Sequence, residues 1–141
     1  MPRTGVGGER ATTSSASTIT ALPEAVASAL AEARDTAQPL FIDFYAEWCA
    51  PCKIIEAKTL PDSRVQAALD GFVFIRVDVD EDLTTGQRFG VVAMPTLLVV
   101  DGDGEELFRH AGMIEPADLA QRLLKIKAAR RAEPSIPSRV E

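Results

Sequence analysis

Leu40-Phe-Ile-Asp-Phe-Tyr45 runs directly into Ala46-Glu-Trp-Cys-Ala-Pro-Cys-Lys53, so two cysteines follow an apolar and aromatic hexamer with only Ala50 and Pro51 between them. A nearly continuous apolar run of that length is what a strand covered on both faces of a sheet looks like. After it, Ile54, Ile55 and Lys58 begin a helical pattern that stops at Pro61. Cys49 and Cys52 thus fall where a buried strand hands over to a helix start, and unpaired N–H groups and the helix dipole there favour negative charge. Such a position lowers a cysteine pKa from about 8.5 into a range of about 3.5 to 7.5. Cys49 is therefore expected to be the exposed, low-pKa nucleophile. Three-residue spacing in a first helical turn brings Cys52 to the same side, within reach of a disulfide and able to resolve a mixed disulfide formed at Cys49. Pro51 suits a first turn because no intrahelical hydrogen bond is lost there.

Other uses of two cysteines fit less well. A structural zinc site needs four ligands, and beyond the cysteines the chain offers only His110 and carboxylates; haem attachment needs His after the second cysteine, where Lys53 stands. Two inert buried thiols remain as the plain alternative. No metal is expected.

Outward from this segment the sequence alternates helix and strand. Leu22, Val26, Ala29, Leu30 and Ala33 share a helical face, with Pro23 in a first turn. Ser63 and Gln66 have capping-box spacing for a helix carrying Val65, Ala68 and Leu69. Phe72–Val79 reads as a strand, Glu81–Phe89 as a short helix and Thr96–Val100 as a strand. Asp101-Gly-Asp-Gly104 is a turn leading to a strand over Glu105–His110, and a last helix runs from about Pro116 to Lys127. This order implies an α/β fold: a mixed central sheet with parallel strands, a terminal hairpin and helices on both faces.

The 141 residues suit one domain, expected over residues 20–130, with flexible tails at 1–19 and 131–141. The formal charge is −6, and residues 21–124 hold 8 basic against 18 acidic side chains, which leaves no electrostatic footprint for nucleic acid. The longest apolar stretch, Val91–Val100, is ten residues and interrupted, against about 20 for a membrane span. The first twenty residues lack the ~7–15 apolar residues of a signal-peptide core, so the expected location is cytoplasmic. His110, at a strand end, reads as a surface residue, and Asp78, Asp80, Glu81 and Asp82 as a solvated strand-to-helix connection without the Gly and closing Glu of a calcium loop.

Phe41 to Lys53, with Met94-Pro95-Thr96 before an apolar strand and a Gly-containing hairpin, resembles the thioredoxin family over about residues 38–127. The segment Glu56–Leu69 is longer than its counterpart in ordinary thioredoxins and is similar to the C-terminal thioredoxin-like domain of DsbD-type disulfide reductases. The resemblance implies a thioredoxin fold and a thiol:disulfide oxidoreductase, a protein disulfide reductase, working through Cys49 and Cys52 without a bound cofactor. It makes Trp48, Ala50, Pro51, Met94 and Pro95 the substrate surface, with Pro95 as the family's cis-proline, leaving backbone groups free to pair with an extended substrate. Asp43 takes the place of the family's buried acid beneath the second cysteine. On physical grounds alone, Asp43 among Phe41, Ile42, Phe44 and Tyr45 has a raised pKa and can take a proton from Cys52 if it points inward; otherwise it is a solvent-facing acid. Two departures stand out: Ala50 replaces the usual Gly, and Arg76 the Lys beside the buried acid. The expected partners are protein disulfides and an electron donor, either thioredoxin reductase or a DsbD-like membrane partner; the latter would place the chain outside the cytoplasm. No nucleic acid, membrane insertion or oligomer is expected. The alternative from another class is a thioredoxin-like binding or redox-sensing module without sustained turnover.

Overall fold

In a computed structural model the described residues are 22–132. Helix α1 (Glu24–Thr36) opens after Pro23, which is the N-cap and so precedes the first turn. Val26, Ala29 and Ala33, spaced at three and four residues, form its buried stripe. Strand β1 (Leu40–Tyr45) follows and lies at the centre of the sheet, with Leu40 to Phe44 all buried. It pairs in parallel with β2 (Val73–Asp78) and antiparallel with β3 (Thr96–Val100). β3 continues the sheet to β4 (Glu106–Ala111), giving the order β2-β1-β3-β4. The side-chain period of two sends Leu40, Ile42 and Phe44 against α1, together with Val73, Val77, Leu98 and Val100. Phe41, Leu97 and Val99 face the other way, onto Ile55, Val65, Leu119 and Leu123. The two cores account for the continuous apolar run of β1, and this is the mixed sheet with helices on both faces that the pattern implied.

On that second face the chain runs through α2 (Ala50–Ile54), a π-helical turn (Ile55–Thr59), α3 (Ser63–Leu69) and, later, α5 (Pro116–Ala132). The helical stretch stops at Pro61 as expected, but its last turn widens: Leu60 N–H bonds Ile55 O, five residues back, at 2.9 Å. The wider turn carries Thr59 into the core, where its hydroxyl donates to Ile114 O at 3.2 Å. The capping box expected at Ser63 does not form. Asp62 is the N-cap, accepting from Arg64 N–H at 2.8 Å, and Gln66 donates to Leu60 O at 2.7 Å; a carboxylate one residue earlier is the stronger acceptor. The short helix α4 (Leu83–Arg88) starts two residues later than expected because Asp82 caps it through Thr85 N–H at 2.9 Å. β2 is shorter than Phe72–Val79 by a residue at each end, and β4 is shifted by one. Helix α5 runs five residues past Lys127, into the stretch expected to begin the C-terminal tail. The remaining tail expectations, over 1–19 and 133–141, lie outside the described residues.

Candidate thiol–disulfide site

The exit of β1 builds the site. After Tyr45 the chain turns at Ala46, which accepts a hydrogen bond from Cys49 N–H at 3.1 Å. Cys49 is then the N-cap of α2, in extended geometry, and Pro51 occupies the first turn. Cys52 N–H donates to Cys49 Sγ at 3.2 Å, so a backbone donor left over at the helix start is aimed at the sulfur. The two cysteines form a disulfide, with Cα atoms 5.3 Å apart. Both residues are buried, Cys49 2% exposed and Cys52 3%. The expectation that exposure singles out Cys49 is therefore corrected: Ala46 clusters with the two cysteines, and Tyr45, Val79 and Met94 pack against them. What separates the two is position on the helix, since only Cys49 receives the N–H.

Ala50 and Pro51 are exposed beside the disulfide, and Trp48 is 69% exposed, its indole N–H donating to Asp80 at 2.9 Å. The Met94-Pro95 peptide bond is cis. The Pro95 carbonyl is taken by Gly112 N–H at 2.8 Å, while neither backbone group of Met94 has a hydrogen-bond partner among the described residues. The free backbone groups expected at the cis-proline thus belong to Met94.

Asp43 points inward and is 2% exposed. The parallel register sets it against Arg76, whose Nε donates to Asp43 Oδ2 at 2.8 Å. Arg76 Nη1 reaches Glu56 at 3.1 Å, one turn beyond Cys52 along the same helical stretch, and its guanidinium lies over the Tyr45 ring at 3.9 Å. Burial pushes the Asp43 carboxyl above its ordinary value of 3.8, against the pull of the Arg76 hydrogen bond and charge. The Arg at this position keeps a fixed charge and a fork of donors, which is how one side chain holds two carboxylates. Asp43 makes its hydrogen bond with Arg76 and none with a cysteine among the described residues.

Sequence reasoning missed Glu56 and Tyr45 as neighbours of Arg76, and Asp80 as the anchor of Trp48. The four-residue interval from Cys52 to Glu56 was a usable signal; the Trp48–Asp80 contact joins residues 32 apart and left none. His110 donates through Nε2 to Met113 O at 2.8 Å, a structural bond within the β4 exit. Among the described residues no group of three or more His, Cys, Asp or Glu is placed to hold a metal ion, and no helix is long and apolar enough to cross a membrane.

A model of the thioredoxin-like domain matches residues 26–127, which takes in the whole sheet and the cysteine pair. The chain belongs to the thioredoxin-like family. Within it, the chain is 36% identical over 107 residues to the thiol:disulfide interchange protein DsbD 1 of Pseudomonas aeruginosa, covering 72% of this chain and 18% of that protein. It is 37% identical over 83 residues to DsbD of Cronobacter sakazakii, covering 56% of this chain and 14% of that one. The chain thus spans less than a fifth of the length of these curated relatives. Among solved structures it is similar to mitochondrial thioredoxin 3 of Saccharomyces cerevisiae, with TM-score 0.53, 32% identity, and coverage of 62% of this chain and 78% of that one. Fasciola hepatica thioredoxin gives TM-score 0.55 and 26% identity, over 67% of this chain and 84% of the other. In this thioredoxin-like frame the Cys49–Cys52 disulfide sits at the start of the helix that follows the central strand.

Proposed function

We propose that the protein is a thiol:disulfide oxidoreductase acting as a protein disulfide reductase, with Cys49 as nucleophile and Cys52 as resolving thiol. The observation that carries this reading is the Cys52 N–H aimed at Cys49 Sγ at the helix N-cap. In the reduced protein the same donor and the helix start stabilise a Cys49 thiolate. That thiolate attacks one sulfur of a client disulfide; a bond forms to Cys49, and the other client sulfur leaves as a thiolate that takes a proton from solvent. Cys52 then gives its proton to the Asp43 carboxylate and attacks Cys49 Sγ, closing the intramolecular disulfide and releasing the second client thiolate. Two electrons pass to the client and no cofactor takes part. Asp43 suits the proton step because burial raises its affinity for a proton. Trp48, Ala50, Pro51 and Met94 form the client surface, with the free Met94 backbone groups pairing to an extended segment.

The relatives named as thiol:disulfide interchange proteins support exchange with protein partners. The electron donor, and with it the compartment, is read by experiment. Oxidised protein is mixed with NADPH, a bacterial thioredoxin reductase and insulin. Sustained NADPH loss identifies the reductase as a competent donor and supports a cytoplasmic protein. Reduction by dithiothreitol but not by the reductase assigns the donor role to a DsbD-like membrane partner and an extracytoplasmic setting. Variants test the roles directly: Cys52→Ser accumulates mixed disulfides with clients, and Cys49→Ser accumulates almost none. Equal trapping by both overturns the assignment, and one stoichiometric change of state without turnover identifies a redox-sensing or binding module instead.

A further inference from the structure

The side chains around the exchange centre carry an uneven charge. Val79 packs against the cysteine pair, which sets its chain neighbours Asp78 and Asp80 beside the disulfide, and Asp80 also holds the exposed Trp48. Glu81 and Asp82 continue this acidic connection. None of these four acids is in an ion pair among the described residues. Asp78 accepts the backbone N–H groups of Asp80 and Glu81, and Asp82 accepts the N–H and hydroxyl of Thr85, so they meet dipoles and no cation. The cations nearby are spent: Lys53 pairs with Glu47 at 3.6 Å, and Arg76 with Asp43 and Glu56. Apolar surface is present too: Val92, 92% exposed, sits two residues before the Met94 that packs on the cysteines.

We infer that this surface docks an extended client segment whose reactive cysteine is flanked by Lys or Arg on the Trp48–Asp80 side and by an apolar residue on the Val92 side. The inference rests on the exchange reading above and deepens it by naming the class of client. Acids carried on the chain that packs against the cysteines attract such a segment and repel an acidic one over a range set by the Debye length, ~8 Å at physiological salt. Steering of this kind changes association rates by about 10- to 1,000-fold and is screened by salt. The repulsive half gives as much discrimination as the attractive half.

The experiment uses disulfide-linked peptides that are identical except for the two residues after the reactive cysteine, which are Lys, Gln or Glu. Pre-reduced protein is mixed with each, and the second-order rate of exchange is followed at 10 mM and 500 mM salt. At low salt the Lys peptide reacts about tenfold faster than the Gln peptide and the Glu peptide about tenfold slower, and the spread collapses at high salt. Glu81→Lys reverses a charge that accepts no side-chain hydrogen bond among the described residues, and it narrows the spread while the Gln rate holds. Equal rates for the three peptides at low salt, with the Gln peptide reacting well, overturn the inference and leave the exchange reading standing. Absence of exchange with every peptide overturns both.

Discussion

Two aspartate–arginine pairs flank the cysteine helix, and they behave in opposite ways. Asp43–Arg76 lies beneath it at 2.8 Å, and Asp62–Arg64 lies past its end at 3.0 Å. Around Asp62 the hydrogen bonds from the Arg64 side chain and backbone dominate and hold the carboxyl down at about 2. Around Asp43 burial dominates and the carboxyl rises despite the same kind of partner. Contact with a guanidinium therefore does not set the proton affinity by itself. Water does: the exposed carboxylate keeps its solvation and gains a partner, whereas the buried one gives up solvation that one guanidinium only partly replaces.

The largest test of that contrast is Arg76→Met. It strips the cation from a buried carboxylate, and urea unfolding at pH 8 should show a loss of about 3 kcal/mol, since removing one partner of a buried pair strands the other. The loss should fade as pH is lowered, because a protonated Asp43 needs no cation. A loss that stays constant with pH would make Arg76 a packing residue only.

Asp43→Asn has a smaller effect of opposite sign. With the folded-state pKa raised, the unfolded chain releases the Asp43 proton first, so the wild-type protein loses stability as pH climbs above the ordinary value of 3.8. The amide escapes that loss while still accepting from Arg76. The variant should be more stable by about 1 kcal/mol at pH 7 and no more stable below the ordinary carboxylate range. Resolution of a Cys49 mixed disulfide should meanwhile slow on the order of 100-fold near neutral pH, the usual worth of a positioned base. An unchanged rate from pH 6 to 8 removes Asp43 from the proton step.

The smallest effect belongs to the exposed pair. Asp62→Asn should lower the urea midpoint slightly at neutral pH. The folded pKa is depressed here, so the contribution is present above the ordinary value and disappears as pH falls toward about 2. NMR titration of the Asp62 carboxyl should give a midpoint near that figure. A midpoint near 4 would break the comparison.

The sheet was legible because β1 advertises itself: a run apolar on both faces has one kind of place in an α/β fold, and Thr96–Val100 fell where the pattern put it. The cysteine pair was legible for the same local reason, as its chemistry follows from a strand-to-helix junction. The π-helical turn was not, because the contact that accompanies it joins Thr59 to the Ile114 carbonyl, 55 residues away. Nor was the depth of the sulfurs, which is set by Val79 and Met94 arriving from other strands and loops. Asp62 displaced Ser63 as the cap because two good capping residues stood side by side, and spacing alone does not rank acceptors. Asp43 was left open by its own segment; the register with Arg76 decided it.

The covering of the sulfurs bears on which reductants the oxidised protein can accept. Displacement at a disulfide needs a thiolate to approach in line with the bond, and with 2% and 3% of these residues uncovered few such lines are open. A partner that settled beside Met94 and shifted it would open more. A small thiol such as dithiothreitol should therefore reduce the bond more slowly than a partner that docks first, whatever the potential.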